Sequence, residues 1–188
     1  MSVVLPVRDG QDRIAQRVDC VLDLLDELIS DPEGAEVVVV DDGSRDATPQ
    51  ILDDLKIDNA RLRIVRHSRP RGMEAAGQTG LERATGDLVF IQESDADIRA
   101  DDMRRLHEMS RDESVVAARA ESKATSLSSE LIRRLKSWGA TTDRQLQGQQ
   151  GTESKTSLQM IRRPHLQRLA SPEGAKMDLH GETIRTSE

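Results

Sequence analysis

The stretch that decides the fold is Val37-Val38-Val39-Val40-Asp41-Asp42-Gly43-Ser44. Four consecutive valines read as a strand buried on both faces, the environment of a parallel sheet. Asp41 and Asp42 stand at its carboxyl end, Gly43 allows a tight turn, and Thr48 and Pro49 supply an N-cap and a first helical residue. In an open α/β sheet, ligands bind beyond the carboxyl ends of the strands. The two carboxylates therefore stand where a ligand belongs, able to accept hydrogen bonds from a base or from ribose hydroxyls. A plain strand cap and turn would use the same residues.

The pattern continues on both sides of this strand. Residues 2–7, Ser-Val-Val-Leu-Pro-Val, form a first short strand with Pro6 near its end, because proline cannot donate within a ladder. Residues 11–30 place Ile14, Val18, Val21, Leu22, Leu25, Leu28 and Ile29 at helical spacing. A helix near 49–57 turns Ile51, Leu52 and Leu55 inward, and Leu62, Ile64 and Val65 mark a third strand. The basic loop 66–72 leads into a helix to about Thr85 with a small-residue face of Met73, Ala76, Gly77, Gly80, Leu81 and Ala84, terminated by Gly86. A buried strand at 87–91 follows, then a helix near 101–110 and a strand at 115–118. This alternation predicts an α/β fold with a right-handed βαβ sheet. Beyond residue 120 the pattern weakens: an amphipathic helix through Leu127, Leu131, Leu135 and Trp138, a polar loop over 140–156, a strand at 157–161 and a short helix after Pro164. The tail from Ser171 has no clear period and could be disordered. The expected organisation is one domain over 1–170, with 171–188 as the tail.

A length of 188 residues suits such a domain. The net charge of −7 and the lack of a basic stripe argue against nucleic-acid binding. Tyrosine is absent, and Phe90 and Trp138 are the only aromatics, so neither a long sugar-stacking groove nor a platform for single strands is expected. Cys20 is the only cysteine; it excludes an internal disulfide and reads as a buried, inert thiol. Strand residues begin directly after Met1, and no apolar run reaches membrane-spanning length, so a cytoplasmic protein without a transmembrane segment is expected, with a homo-oligomer left open.

The chemistry-bearing feature is a pair of acidic outlets, one after each of two buried strands, opening on the same sheet edge. The second outlet, 92–97, holds Glu93, Asp95 and Asp97. Clustered acids repel unless a cation joins them, and a ligand set made only of oxygen suits Mg²⁺ or Mn²⁺. A solvated acidic turn capping the next helix would look the same.

Taken together, Pro6-Val7-Arg8, the valine strand ending in Asp-Asp-Gly-Ser, the Gly72…Gly80-Leu81…Ala84-Thr85-Gly86-Asp87 spacing and the acidic outlet resemble the family-two glycosyltransferases of GT-A fold. The resemblance covers about residues 2–120. It implies a Rossmann-type, mostly parallel sheet and transfer of a sugar from a UDP- or GDP-linked donor to an unidentified acceptor hydroxyl, usually with inversion and a divalent metal. It also implies that Pro6, Val7, Arg8 and Asp41 or Asp42 hold the base and ribose, while the acidic outlet holds the metal on the diphosphate. Arg71 and Gly72 fall in the loop that faces that diphosphate.

Three departures stand out. The family's Asp-x-Asp falls on Glu93-Ser94-Asp95, with Asp95-Ala96-Asp97 as a second candidate; Asp95 is shared by both. Ala76-Gly77-Gln78 replaces the usual Ala-Arg-Asn, which removes a cation that Arg69 or Arg71 could replace. His67 reads as a loop residue. Inversion needs a carboxylate base, and after 158–163 the remaining candidates are Glu173, Asp178, Glu182 and Glu188, of which Asp178 fits best. Two other readings stay open: an inactive nucleotide-sugar binder or assembly protein of the same fold, and a nucleotidyltransferase, disfavoured because residues 8–12 hold a single glycine.

Overall fold

The computed structural model describes residues 1–30, 34–93, 97–123, 155–162 and 182–185. The elements in chain order are β1 (Ser2–Val7), α1 (Ile14–Leu28), β2 (Glu36–Asp41), α2 (Thr48–Asp58), β3 (Leu62–Arg66), α3 (Met73–Arg83), β4 (Leu88–Gln92), α4 (Ala100–Met109), β5 (Ala117–Lys123), β6 (Lys155–Arg162) and β7 (Glu182–Arg185). One seven-stranded sheet runs in the order β3-β2-β1-β4-β6-β5-β7. Strands β1 to β4 are parallel, so their carboxyl ends open on one edge, as expected for the α/β class. Pro6 is tolerated in the central strand for a readable reason. The Val7 carbonyl accepts from the Asp42 N–H, so the alternate position 6 faces β4, and the β1–β4 ladder has already ended at Val4–Ile91.

The strands bury apolar side chains on both faces, which is why the valine run reads as continuous. One face carries Val3, Leu5, Val37, Val39 and Phe90 against α1, α2 and α4, through Val18, Leu25, Leu52, Met103 and Leu106. The other carries Val4, Val38, Val40, Val89 and Ile91 against α3, through Ala76. The small-residue face of α3 lets that helix lie close: a Cβ on Gly80 would fall inside the Val4 side chain.

Several expectations are corrected. Strand β6, expected at 157–161, is antiparallel and inserts between β4 and β5. Strand β5 begins later than 115–118 because its inward residues are only Ala118 and Ala120, a weak apolar signal. The β4–α4–β5 crossover has the opposite hand to the first three. The chain moves away from β3, as it does from β3 to β4, yet α4 packs on the face of α1 and α2 rather than that of α3. Residues 182–185 of the tail pair with β5. Thr48 is the first residue of α2 rather than its N-cap; its hydroxyl accepts from the Gly10 N–H at 2.9 Å instead. Cys20 is exposed, because the buried face of α1 runs through Arg17, Val18, Val21, Leu24 and Leu25 and leaves position 20 outside it. The helix at 127–138, the helix after Pro164 and the candidate base Asp178 lie outside the described residues, as does the loop expected at 140–156 except for residues 155 and 156, which belong to β6.

At the amino ends of the strands, Glu36 ties four segments together. Its Oε1 accepts from the Ser2 hydroxyl (2.7 Å), the Thr85 N–H (2.5 Å) and the Thr85 hydroxyl (2.7 Å), and its Oε2 from Arg63 (3.0 Å). Burial pushes this carboxyl up, but the four donors outweigh burial and hold it at about 2.

Candidate active site

Three outlet loops meet at the carboxyl edge of the parallel strands. The β1 outlet, residues 8–11, and the β2 outlet, 43–48, are laced together. The Asp9 N–H donates to the Ser44 hydroxyl (2.9 Å), and the Arg45 N–H donates back to Asp9 Oδ1 (2.7 Å). The Gln11 N–H donates to Asp46 Oδ2 (3.0 Å), and the Ala47 N–H donates to Gln11 Oε1 (2.9 Å). Asp46 Oδ1 accepts the Thr48 N–H at 2.9 Å. Burial raises the Asp46 carboxyl, but the Thr48 and Gln11 donors prevail and hold it below the ordinary range. Gly43, at φ +69°, brings the β2 outlet against the third loop, where a Cβ would stand 2.9 Å from the Pro70 nitrogen. Only glycine fits both the backbone angle and the gap.

The adjacent carboxylates Asp41 and Asp42 have different surroundings, because neighbouring strand positions face opposite sides of the sheet. Asp42 is fully buried on the α3 face. Its Oδ1 accepts from His67 Nδ1 (2.7 Å) and the Arg71 N–H (2.8 Å), and its Oδ2 from the Gly72 N–H (2.8 Å). Burial pushes its pKa up, but the His67, Arg71 and Gly72 donors bring it below the usual carboxylate range. Among the described residues, Asp41 accepts only the Ser44 N–H, at 2.9 Å through Oδ1. Asp41 thus keeps an acceptor oxygen that Asp42 has spent on the protein.

The other candidates divide in the same way. Pro6 and Val7 are buried within β1, so they offer backbone only, whereas Arg8 is exposed and paired loosely with Asp9 at 3.6 Å. Arg71 has an exposed side chain above its anchored N–H, and Gly72 (φ +98°) is the N-cap of α3. Glu93, two strands over and so about 10 Å from the β2 outlet, is engaged by the Arg119 guanidinium of β5 and the Gln159 amide of β6. Asp97 faces α1, with Arg17 Nε at 3.7 Å. Arg119 and Gln159 project on the α3 face, since Ala118, Ala120, Leu158 and Met160 occupy the other; Arg17 belongs to α1 on the opposite face. Glu93 and Asp97 are therefore not brought together. Among the described residues, no three His, Cys, Asp or Glu side chains converge on a metal position. Asp95 and Asp178 lie outside the described residues.

Sequence reading took His67 for a plain loop residue and missed Thr79, Arg119 and Gln159. Only Thr79 left a signal, as a hydroxyl beside the Ala76-Gly77-Gly80 face; the others act through residues distant in sequence.

The family model for glycosyl transferase family 2 matches residues 2–169. The chain belongs to that family. This family-2 chain is 40% identical over 73 residues to succinoglycan biosynthesis protein ExoO of Rhizobium meliloti, covering 39% of this chain and 20% of that protein. It is 30% identical over 109 residues to the undecaprenyl-phosphate 4-deoxy-4-formamido-L-arabinose transferase of Aeromonas hydrophila, covering 57% and 32%. Among solved structures it is similar to the mannosyltransferase PcManGT of Pyrobaculum calidifontis, in complex with GDP-Man and Mn²⁺, with TM-score 0.54, 24% identity and coverage of 90% and 46%. It is similar also to TarS of S. aureus, with TM-score 0.53, 21% identity and coverage of 67% and 36%. These likenesses show the GT-A fold. The chain matches about a fifth to a third of the length of these curated relatives. No helix among the described residues is long and apolar enough to cross a membrane.

Proposed function

We propose that the chain is the nucleotide-sugar-binding part of a glycosyltransferase, which moves a sugar from a UDP- or GDP-linked donor to an acceptor hydroxyl with inversion. The observation that carries the reading is the convergence of three outlet loops on the carboxyl edge of β1, β2 and β3, in a chain of glycosyl transferase family 2. In this reading, Asp41 takes the polar edge of the base or ribose through its remaining oxygen. The backbone of Pro6 and Val7 and the side chain of Arg8 stand at the same strand edge. The Arg69 and Arg71 guanidinium groups face the diphosphate and offset its charge as it departs.

The divalent cation implied by the family does not fit a cage of Glu93, Asp95 and Asp97. The first carboxylate is capped by Arg119 and Gln159, and the third faces α1. It fits Asp95 as one carboxylate ligand, because Mg²⁺ and Mn²⁺ commonly complete their shell with phosphate oxygens and water. Such an ion supplies Lewis-acid stabilisation of the diphosphate. Asp178 is the proposed base for the acceptor hydroxyl.

The test is a thermal-shift screen of nucleotide sugars with and without Mn²⁺, followed by donor hydrolysis. A donor that binds the fold raises its melting temperature, and slow release of free sugar identifies a turning-over enzyme. Asp95→Asn should remove the Mn²⁺ dependence of donor binding. Asp178→Asn should abolish transfer and leave binding intact. Donor binding without any hydrolysis supports the second reading, an inactive binder, which the occupied Glu93 carboxylate favours. No shift with any donor refutes both.

A further inference from the structure

We infer that His67 is a positioning residue of the donor site: held between Asp42 and Thr79, it fixes the backbone of the 69–72 loop and thereby the station of the Arg69 and Arg71 side chains. The role given to those arginines rests on the donor-binding reading above; the clamp itself rests on geometry.

Asp42 is fully buried, and a buried carboxylate is tolerated only when donors surround it. Two of its donors are the consecutive N–H groups of Arg71 and Gly72, at 2.8 Å each. Gly72 is the N-cap of α3 and makes no side-chain cap of its own, so Asp42, just past β2, supplies the carboxylate cap that the start of α3 does not make for itself. Neither N–H group can follow if the carboxylate swings away. What prevents the swing is the third donor, His67 Nδ1, at 2.7 Å.

His67 is itself held by its backbone, by burial and by its second ring nitrogen. Its backbone N–H donates to the Asp41 carbonyl at 2.9 Å, continuing the β2–β3 ladder. Its side chain is only 6% exposed. Its Nε2 lies 3.0 Å from the Thr79 hydroxyl, almost two turns into α3. A carboxylate only accepts, so Nδ1 carries the proton. Nε2 can then accept from the hydroxyl or donate to it, because a hydroxyl does both. Both ring nitrogens are therefore partnered, which makes the ring a fixed strut. The loop it holds also passes over Gly43, where the backbones of Arg69 and Pro70 leave no room for a Cβ. One strut thus sets the spacing between the β2 outlet, the arginine loop and α3.

The test uses the 188-residue chain and two variants, His67→Ala and His67→Asn; asparagine can place an amide N–H near the Nδ1 position but does not reach Thr79. In the ligand-free protein, amide exchange at Arg71 and Gly72 should quicken about tenfold or more in His67→Ala, and the asparagine variant should recover most of the protection. Binding of UDP-GlcNAc and of GDP-mannose, measured well below the melting temperature, should weaken about tenfold in His67→Ala and only about threefold in His67→Asn. Unchanged exchange at the two amides overturns the clamp. Faster exchange with unchanged donor affinity overturns the positioning role. A lower melting temperature with both other readouts unmoved marks His67 as merely structural and overturns it as well. A wild-type chain that binds neither probe refutes the donor reading, and the exchange measurement still decides the clamp.

Discussion

Replacing Glu36 with glutamine should make the protein less stable at neutral pH and remove a defined part of its acid sensitivity. The carboxyl is held at about 2 against an ordinary value of 4.5, and its side chain is 12% exposed. A displacement of that size is worth about 3 kcal/mol at neutral pH. Because the folded value is depressed, this contribution is fully present above the unfolded value and is lost as pH falls through the folded one. The window therefore runs from about pH 5 down to about pH 2. Glutamine keeps an acceptor for Ser2 and Thr85 but turns an amide N–H toward Arg63, so part of the loss persists at every pH. The assay is urea denaturation of both proteins at several pH values, read as the difference between them, since all other carboxylates are common to both. The difference should be about 2–3 kcal/mol at pH 7 and shrink steadily below about pH 5. A difference that stays constant through the acid window, or never exceeds about 0.5 kcal/mol, would refute the assignment of that stability to this carboxylate.

Gly80→Ala should cost about 1–3 kcal/mol despite alanine's better helix propensity, because the new methyl overlaps Val4 in a packed face; an unchanged melting temperature would show that α3 can lift away. Asp46→Ala strips acceptors from the Gln11 and Thr48 N–H groups and should cost about 1 kcal/mol in denaturant, with faster exchange at those two amides. Arg119→Met releases Oε2 of Glu93 and should tighten Mn²⁺ binding severalfold by calorimetry; no change would place Glu93 outside any cation site.

The part of the fold from β1 to α3 was legible because each step is local: a buried strand, a turn and a helix with a matching apolar face. The position of β6 was not, since a short apolar run such as Leu158-Gln159-Met160-Ile161 carries no mark of which strands it will separate. Strand β7 is four residues long, too short for a period to show. At the site, the Asp41-Asp42 pair was visible as two acids at a strand end, but their division of labour was not. It depends on His67, Arg71 and Gly72, which lie 25 to 30 residues away. Glu93 looked like a free ligand for the same reason: Arg119 and Gln159, 26 and 66 residues further on, are brought to it only by the sheet.

The insertion of β6 has a consequence for how the molecule must assemble. Strands β4 and β5 share no ladder, so until residue 155 and its successors arrive a slot one strand wide stands open in the sheet. Chain growth from the amino terminus can complete the parallel half early, but β5 has to wait for a segment made later. The seam between β4 and β5 therefore closes in the interior of the sheet, directly beside the strand that ends at Gln92, and only β7 is added after it, at the rim. A nascent chain halted before that point would display two unsatisfied strand edges facing each other, an invitation to pair with a neighbour.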